Sequence, residues 1–144
     1  MNSEIKPLPR GDNAGPPFYK GPDLFPQNKM YNKMTKIFGH LAPDTDATGS
    51  ALIWEWFLQT QGDKTAKAYR LGEPNTEARF VLKRWGVDQP DILDGLEAGE
   101  NVVIVDTNNP GELPENINDA NITDIIDHHM LVGGLTTKTP INIT

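Results

Sequence analysis

Histidine is scarce in this chain, and its placement is informative. The three histidines are His40, at the end of the stretch KIFGH, and the adjacent pair His128-His129, directly after ITDIID. Asp44 and Asp46 follow His40 within PDTD, and Asp106 closes the run NVVIVD. Imidazoles and carboxylates brought together make a ligand set for Mn2+, Fe2+, Co2+ or Zn2+, whereas Mg2+ normally takes all-oxygen shells. His40, Asp44, Asp46, Asp106 and His128 are five candidate ligands, more than one open catalytic ion uses, so a two-metal cluster is the natural arrangement. Two ions about 3.5–4 Å apart lower the pKa of a shared water and stabilise phosphoryl oxygens. Phosphoryl hydrolysis is therefore the chemistry these residues point to.

Such residues need elements that carry them to one place. The pattern from Thr35 onward alternates between short β-branched runs and helical stretches. Strands are expected at Lys36–His40, Lys67–Leu71, Asn101–Asp106 and Ile122–Asp127, with a further one starting over 140–144. Helices are expected at Ala47–Thr60, with apolar positions Ala51, Leu52, Trp54, Phe57 and Leu58, at Asn75–Trp85, and more briefly at Asp91–Ala98. Asn75–Trp85 has Pro74 before it and Gly86 just past its end, the usual punctuation of a helix. This alternation predicts an α/β domain with a mainly parallel sheet flanked by helices. In open α/β sheets ligands bind at the carboxyl ends of the strands. Three of the expected strands deliver imidazoles and carboxylates at those ends, and that convergence is stronger evidence than any single motif.

Taken singly, each residue has a plainer explanation. Asp46 before Ala47 reads as a helix N-cap, Asp44 and Asp106 as turn formers, and His40 as a hydrogen-bonded loop histidine. The adjacent histidines are harder to dismiss, since buried paired imidazoles need a reason. Asp127 reads equally as a strand-end polar residue and as a group orienting an imidazole. Asn75 reads as structural, and Gly49 and Ser50 as residues that permit close helix packing.

Composition sets the outer bounds. The chain has 144 residues, 37% hydrophobic and 23% charged, with no cysteine; disulfides and thiolate zinc sites are excluded. No apolar run approaches the roughly 18 residues of a membrane-spanning helix, and the start of the chain lacks the apolar core of a secretory signal. A cytoplasmic protein with no membrane partner is the expectation. Residues 1–33 carry five Lys/Arg against three Asp/Glu, so the net −7 of the whole leaves −9 on the rest. That acidity disfavours a nucleic-acid partner and suits a site that collects divalent cations. Residues 1–33 also hold six of the twelve prolines and show no periodicity, which predicts an extended or disordered tail, with Phe18, Tyr19, Phe25 and Tyr31 available to pack back. Residues 34–144 are then the α/β metal-binding domain. No helix is expected after its last strand, so part of a doubly wound sheet would be uncovered.

The motifs HLAPDTDATGS, LGEPN, VVIVDTNN and IIDHH, in this order, resemble the DHH phosphoesterases, and within them the family II, manganese-dependent inorganic pyrophosphatases. The resemblance runs from Lys36 to the end of the chain. It implies hydrolysis of inorganic pyrophosphate to two phosphates at two Mn2+ (or Co2+) ions, with Mg2+ accompanying the substrate. It further implies that His40 and Asp44 bind one metal, Asp46 and His128 the other, and Asp106 both, while His129 faces the substrate phosphate and assists protonation of the leaving group. Members often pair as homodimers through the sheet of this domain. Thr107 departs from the pattern, since familiar members have histidine there; Asn108 matches. The family's downstream metal-binding aspartate and its basic, pyrophosphate-clamping domain are not in this sequence, so the chain is expected to be the N-terminal part of such an enzyme. A related phosphodiesterase acting on short oligonucleotides or cyclic dinucleotides, and a non-catalytic metal-binding module, are the alternatives.

Overall fold

The run Asn101–Val105 is apolar on both sides, and it sits where that pattern requires: Val102, Val103 and Ile104 are fully buried and Val105 nearly so. The computed structural model describes residues 34–140; the tail expected over 1–33, and all but Pro140 of the strand expected over 140–144, lie outside the described residues. Among the described residues there are five strands: β1 (Thr35–Phe38), β2 (Lys67–Arg70), β3 (Asp91–Ile92), β4 (Asn101–Val105) and β5 (Asn121–Ile126). They pair in the order β3-β2-β1-β4-β5, every pairing parallel. The helices are α1 (Thr45–Thr60) and α2 (Thr76–Trp85). The α/β class and the parallel sheet expected from the sequence are what the fold shows.

The chain builds outward from β1 through β2 to β3, then returns to the other side of β1 for β4 and β5. The direction of winding thus reverses between β1 and β4, and a crevice opens at their carboxyl ends. Ile37, Val103 and Val105 face α1, packing with Ala51, Leu52 and Leu58. Phe38, Val102 and Ile104 face the other way and meet Ile122 and Ile125. That second face is closed by Leu96, Leu113, Ile117 and Ala120, from irregular chain and two 3-10 turns (Pro110–Glu112 and Ile117–Asp119). A bulge shifts the β4–β5 register between Val102 and Val103, leaving Thr123 as the extra residue. It explains why Ile122 and Ile125, three apart, share one face although strand side chains alternate.

Two expectations are corrected here. Asp91–Ala98 is not a helix. Asp91 and Ile92 pair with Tyr69 and Arg70, and Leu93 N–H extends the pairing to the Arg70 carbonyl at 2.9 Å. Leu93 and Leu96 are spaced like a helical stripe, but Gly95 at φ 135° turns the chain away. The cap of α1 is Asp44 rather than Asp46: its Oδ1 accepts from Asp46 N–H at 2.9 Å and Ala47 N–H at 3.0 Å, so the helix begins at Thr45. α2 follows expectation, with Asn75 Oδ1 accepting from Ala78 N–H and Gly86 left-handed at its end.

Glycine matters most at the site end of β1. A Cβ on Gly39 would lie 2.7 Å from Ala47 Cβ and 3.1 Å from the Val105 carbonyl oxygen, so only glycine lets β1, α1 and β4 approach this closely. Gly49, inside α1, faces open space, which removes the close-packing role expected for it. The two glycines should therefore respond oppositely to alanine. Gly39→Ala is expected to destabilise the chain by about 1–3 kcal/mol through overpacking. Gly49→Ala should stabilise it by about 0.5–1 kcal/mol through helix propensity. Urea unfolding midpoints check both signs.

Candidate metal centre

The end of β4 is the pivot of the site. Asp106 follows Val105 directly, with φ 57°, a left-handed conformation that aspartate tolerates better than most residues. Its N–H still bonds the Ile126 carbonyl at 2.8 Å, so the turn is anchored to β5. The residue is 4% exposed, and its carboxylate spreads between two groups of side chains. Oδ2 lies 3.4 Å from His40 Nε2, which in turn is 3.8 Å from Asp44 Oδ1. Oδ1 lies 3.7 Å from His128 Nε2 and 3.8 Å from His129 Nδ1. Across from this, His128 Nδ1 is 3.7 Å from Asp46 Oδ2.

All six residues singled out in the sequence therefore meet at the β1–β4 switch point. Asp44 stands on the His40 side and Asp46 on the His128 side. Separations of 3.4–3.8 Å exceed good hydrogen bonds. Ligand atoms bound about 2.0–2.2 Å from one ion stand about 3–3.6 Å apart, close to what is seen. His40, Asp44 and Asp106 form one group of potential ligand atoms within 4.8 Å of each other, and Asp106, His128 and His129 another. The electrostatics agree. Burial, then the Asp46 and Asp44 carboxylates, push the Asp106 carboxyl above its ordinary range, against the pull of His40 and His129. A buried carboxylate crowded by two more is stabilised by a cation, and the donor set fits one.

His129 is engaged differently from His128, although their rings lie 4.4 Å apart. Its Nδ1 is 2.7 Å from Asp127 Oδ1, and its backbone N–H reaches the same oxygen at 3.1 Å. The Asp127 hydrogen bond raises the imidazole's affinity for its proton. Burial works against ionisation of Asp127, but hydrogen bonds from Asn108 and His129 outweigh it and hold the carboxyl low. Of the two readings of Asp127, the geometry selects the one in which it orients an imidazole.

Several contributors escaped the sequence reading. Ser50 was assigned to packing, yet its hydroxyl donates to Asp46 Oδ1 at 2.9 Å and fixes that carboxylate; the i,i+4 spacing on a helix was the available signal. Asn108 bridges three points: its Nδ2 donates to Asp127 Oδ2 and to the Met130 carbonyl, and its Oδ1 accepts from Val132 N–H. Gly72 lies so near the Leu41 carbonyl that a Cβ would come within 2.5 Å. Asn75 N–H bonds the Pro43 carbonyl at 2.9 Å, so LGEPN braces the loop carrying Asp44. Beside the centre lies a cleft of about 470 Å³, lined by Asp44, Asp46, Gly49, Ser50 and Glu77 among others. No Lys or Arg is among those described lining residues.

Known proteins are similar to this chain. The DHH family, N-terminal domain, matches residues 35–144. A Deinococcus radiodurans protein named "probable manganese-dependent inorganic pyrophosphatase" is 43% identical over 107 residues, 74% of this chain and 33% of its own. A Staphylococcus epidermidis protein of the same name is 45% identical over 100 residues, 68% of this chain and 32% of its own. A solved structure named "Methanococcus jannaschii putative family II inorganic pyrophosphatase" matches with a TM-score of 0.66 at 33% identity, covering 76% of this chain and 33% of that one. The chain thus spans about one third of the length of these relatives. With the family matched across residues 35–144 and the parallel sheet shared with a solved member, the chain belongs to the DHH family, as its N-terminal domain.

Proposed function

We propose that the chain supplies the metal-holding wall of a manganese-dependent inorganic pyrophosphatase. The observation that carries this reading is the divided Asp106 carboxylate, one oxygen toward His40 and the other toward His128 and His129. His40 and Asp44 would hold one Mn2+, Asp46 and His128 a second, and Asp106 both. When bound, the ions supply positive charge for phosphoryl oxygens and acidify water. His129 stays outside the ligand set because Asp127 engages its Nδ1. That bond favours the protonated imidazole and leaves Nε2 to face a substrate phosphate and donate a proton to the departing one. Pyrophosphate, accompanied by Mg2+, is the substrate that the relatives' names favour. A compact polyanion needs cationic donors, and the described cleft lining has none, so those donors are assigned to other parts of the whole enzyme.

Calorimetric Mn2+ titration of the 144-residue chain is expected to show two sites, with His128→Ala losing one of them. No Mn2+ binding by the parent would overturn the metal reading. Phosphate release from pyrophosphate should exceed cleavage of a dinucleotide in the presence of Mn2+; the reverse order would favour the phosphodiesterase alternative.

Metal removal should also change stability. Free Mn2+ at 100 times its dissociation constant is expected to add about 2.7 kcal/mol for each site filled, which a chelator reverses. In the metal-free chain the raised carboxyl of Asp106 means that its ionisation opposes folding. That penalty is absent below the ordinary carboxylate range, grows as pH rises through it, and is complete above the raised value. Asp106→Asn, which keeps shape and tolerance of the left-handed backbone, should therefore raise the metal-free melting temperature at neutral pH. The same substitution should abolish the stabilisation by Mn2+.

A further inference from the structure

Thr107 and Glu112 lie outside the proposed ligand set, yet they connect its parts. Thr107 directly follows Asp106 and is 2% exposed. Its hydroxyl donates to Glu112 Oε2 at 2.7 Å and accepts from Asn109 N–H at 3.1 Å, so both of its polar functions are used. Glu112 ends the 3-10 turn after Asn109, and its backbone carbonyl accepts from Leu41 N–H at 2.9 Å. Leu41 directly follows His40. A single residue of the β4–β5 connection therefore grips both loops at the switch point, in each case one position downstream of a candidate ligand. The separation it spans is the shortest between the two ligand groups and Asp106, the 3.4 Å from His40 Nε2 to Asp106 Oδ2. Asp106 also needs outside support, because a left-handed non-glycine residue persists only where its surroundings over-determine it.

We infer that Glu112 is a positioning residue of the metal centre: by holding the Thr107 hydroxyl and the Leu41 amide together, it sets the gap between His40 and Asp106 into which one ion fits. The inference rests on the metal reading above and concerns a residue that touches neither metal nor substrate.

The test is Mn2+ titration of the full chain by calorimetry, with the bound-Mn2+ electron paramagnetic resonance spectrum as a second readout. Glu112→Ala should weaken one of the two sites by about 10–100-fold, the usual effect of losing an outer hydrogen-bond partner of a metal site, and alter the spectrum, while the variant keeps a cooperative melt. Glu112→Gln retains an acceptor oxygen for Thr107 and should bind as the parent does. Thr107→Val should reproduce the alanine loss, and combining it with Glu112→Ala should add little, as expected for two halves of one contact. Parent-like binding by Glu112→Ala overturns the inference. So does an equal loss in Glu112→Gln, which would assign the effect to charge. If the parent binds no Mn2+, the metal reading falls, and the strut is judged by amide exchange in the metal-free chain. There Leu41 should exchange about tenfold faster in Glu112→Ala, equivalent to about 1.4 kcal/mol of lost protection; unchanged exchange overturns it.

Discussion

A carboxylate placed where the sheet reverses direction dictates much of what surrounds it. Asp106 is buried, left-handed, and crowded by the Asp44 and Asp46 carboxylates. Each condition is unfavourable by itself: burial disfavours the charge, like charges add to that, and positive φ costs a non-glycine residue. The contacts within reach of its oxygens are imidazoles at 3.4–3.8 Å, too distant to neutralise it by direct hydrogen bonding. The surrounding apolar packing holds the arrangement in place. Val103 and Val105 lock one face of β4 against α1, and Val102 and Ile104 lock the other, so the residue after Val105 has little freedom to relax. A divalent cation between those groups would turn the burial and the crowding of charge into affinity.

The neighbouring devices all act on orientation. Asp44 caps α1 with one oxygen, which puts a carboxylate at the positive end of a helix as well as beside His40. Ser50 restrains Asp46, and Asp127 restrains His129. Asn108 ties Asp127 to the backbone of Met130 and Val132. None of these is strong singly. Together they fix side chains that would otherwise lose rotamer freedom on binding a ligand, so the ordering is completed during folding.

How much of this was legible follows from which signals are local. NVVIVD, ITDIID and KIFGH declared their strands, and a parallel sheet then required their carboxyl ends to share one edge; convergence of His40, Asp106 and His128 followed from topology alone. The helix over Asn75–Trp85 was legible because both its ends carry their own stop signals. Asp91–Ala98 was misread because Leu93 and Leu96 mimic a helical stripe, while pairing with β2 and the Gly95 turn decide the outcome. The bulge at Thr123 has no local signature. Asp44 and Asp46 are both good caps by type, and only the path of the loop across LGEPN chooses between them. Ser50 and Thr107 have partners only four and five residues away, but the second grip of Glu112, its carbonyl on Leu41 N–H, shows only once segments distant in sequence are side by side.

The charge pattern also orders events in the proposed enzyme. Residues 34–144 carry a net −9, and the described cleft beside the centre is lined by Asp44, Asp46 and Glu77 without a Lys or Arg. A polyanion approaching that wall without metal meets only repulsion. Two divalent ions against the three proposed ligand carboxylates leave a net positive charge at the centre, and Asp127 is already matched by His129. The same surface would repel a polyanion when empty and attract it once loaded. In the proposed enzyme, metal loading of this wall would favour the substrate's approach to it, so the acidity of the domain would serve the first step at the expense of an unloaded wall's affinity for the second.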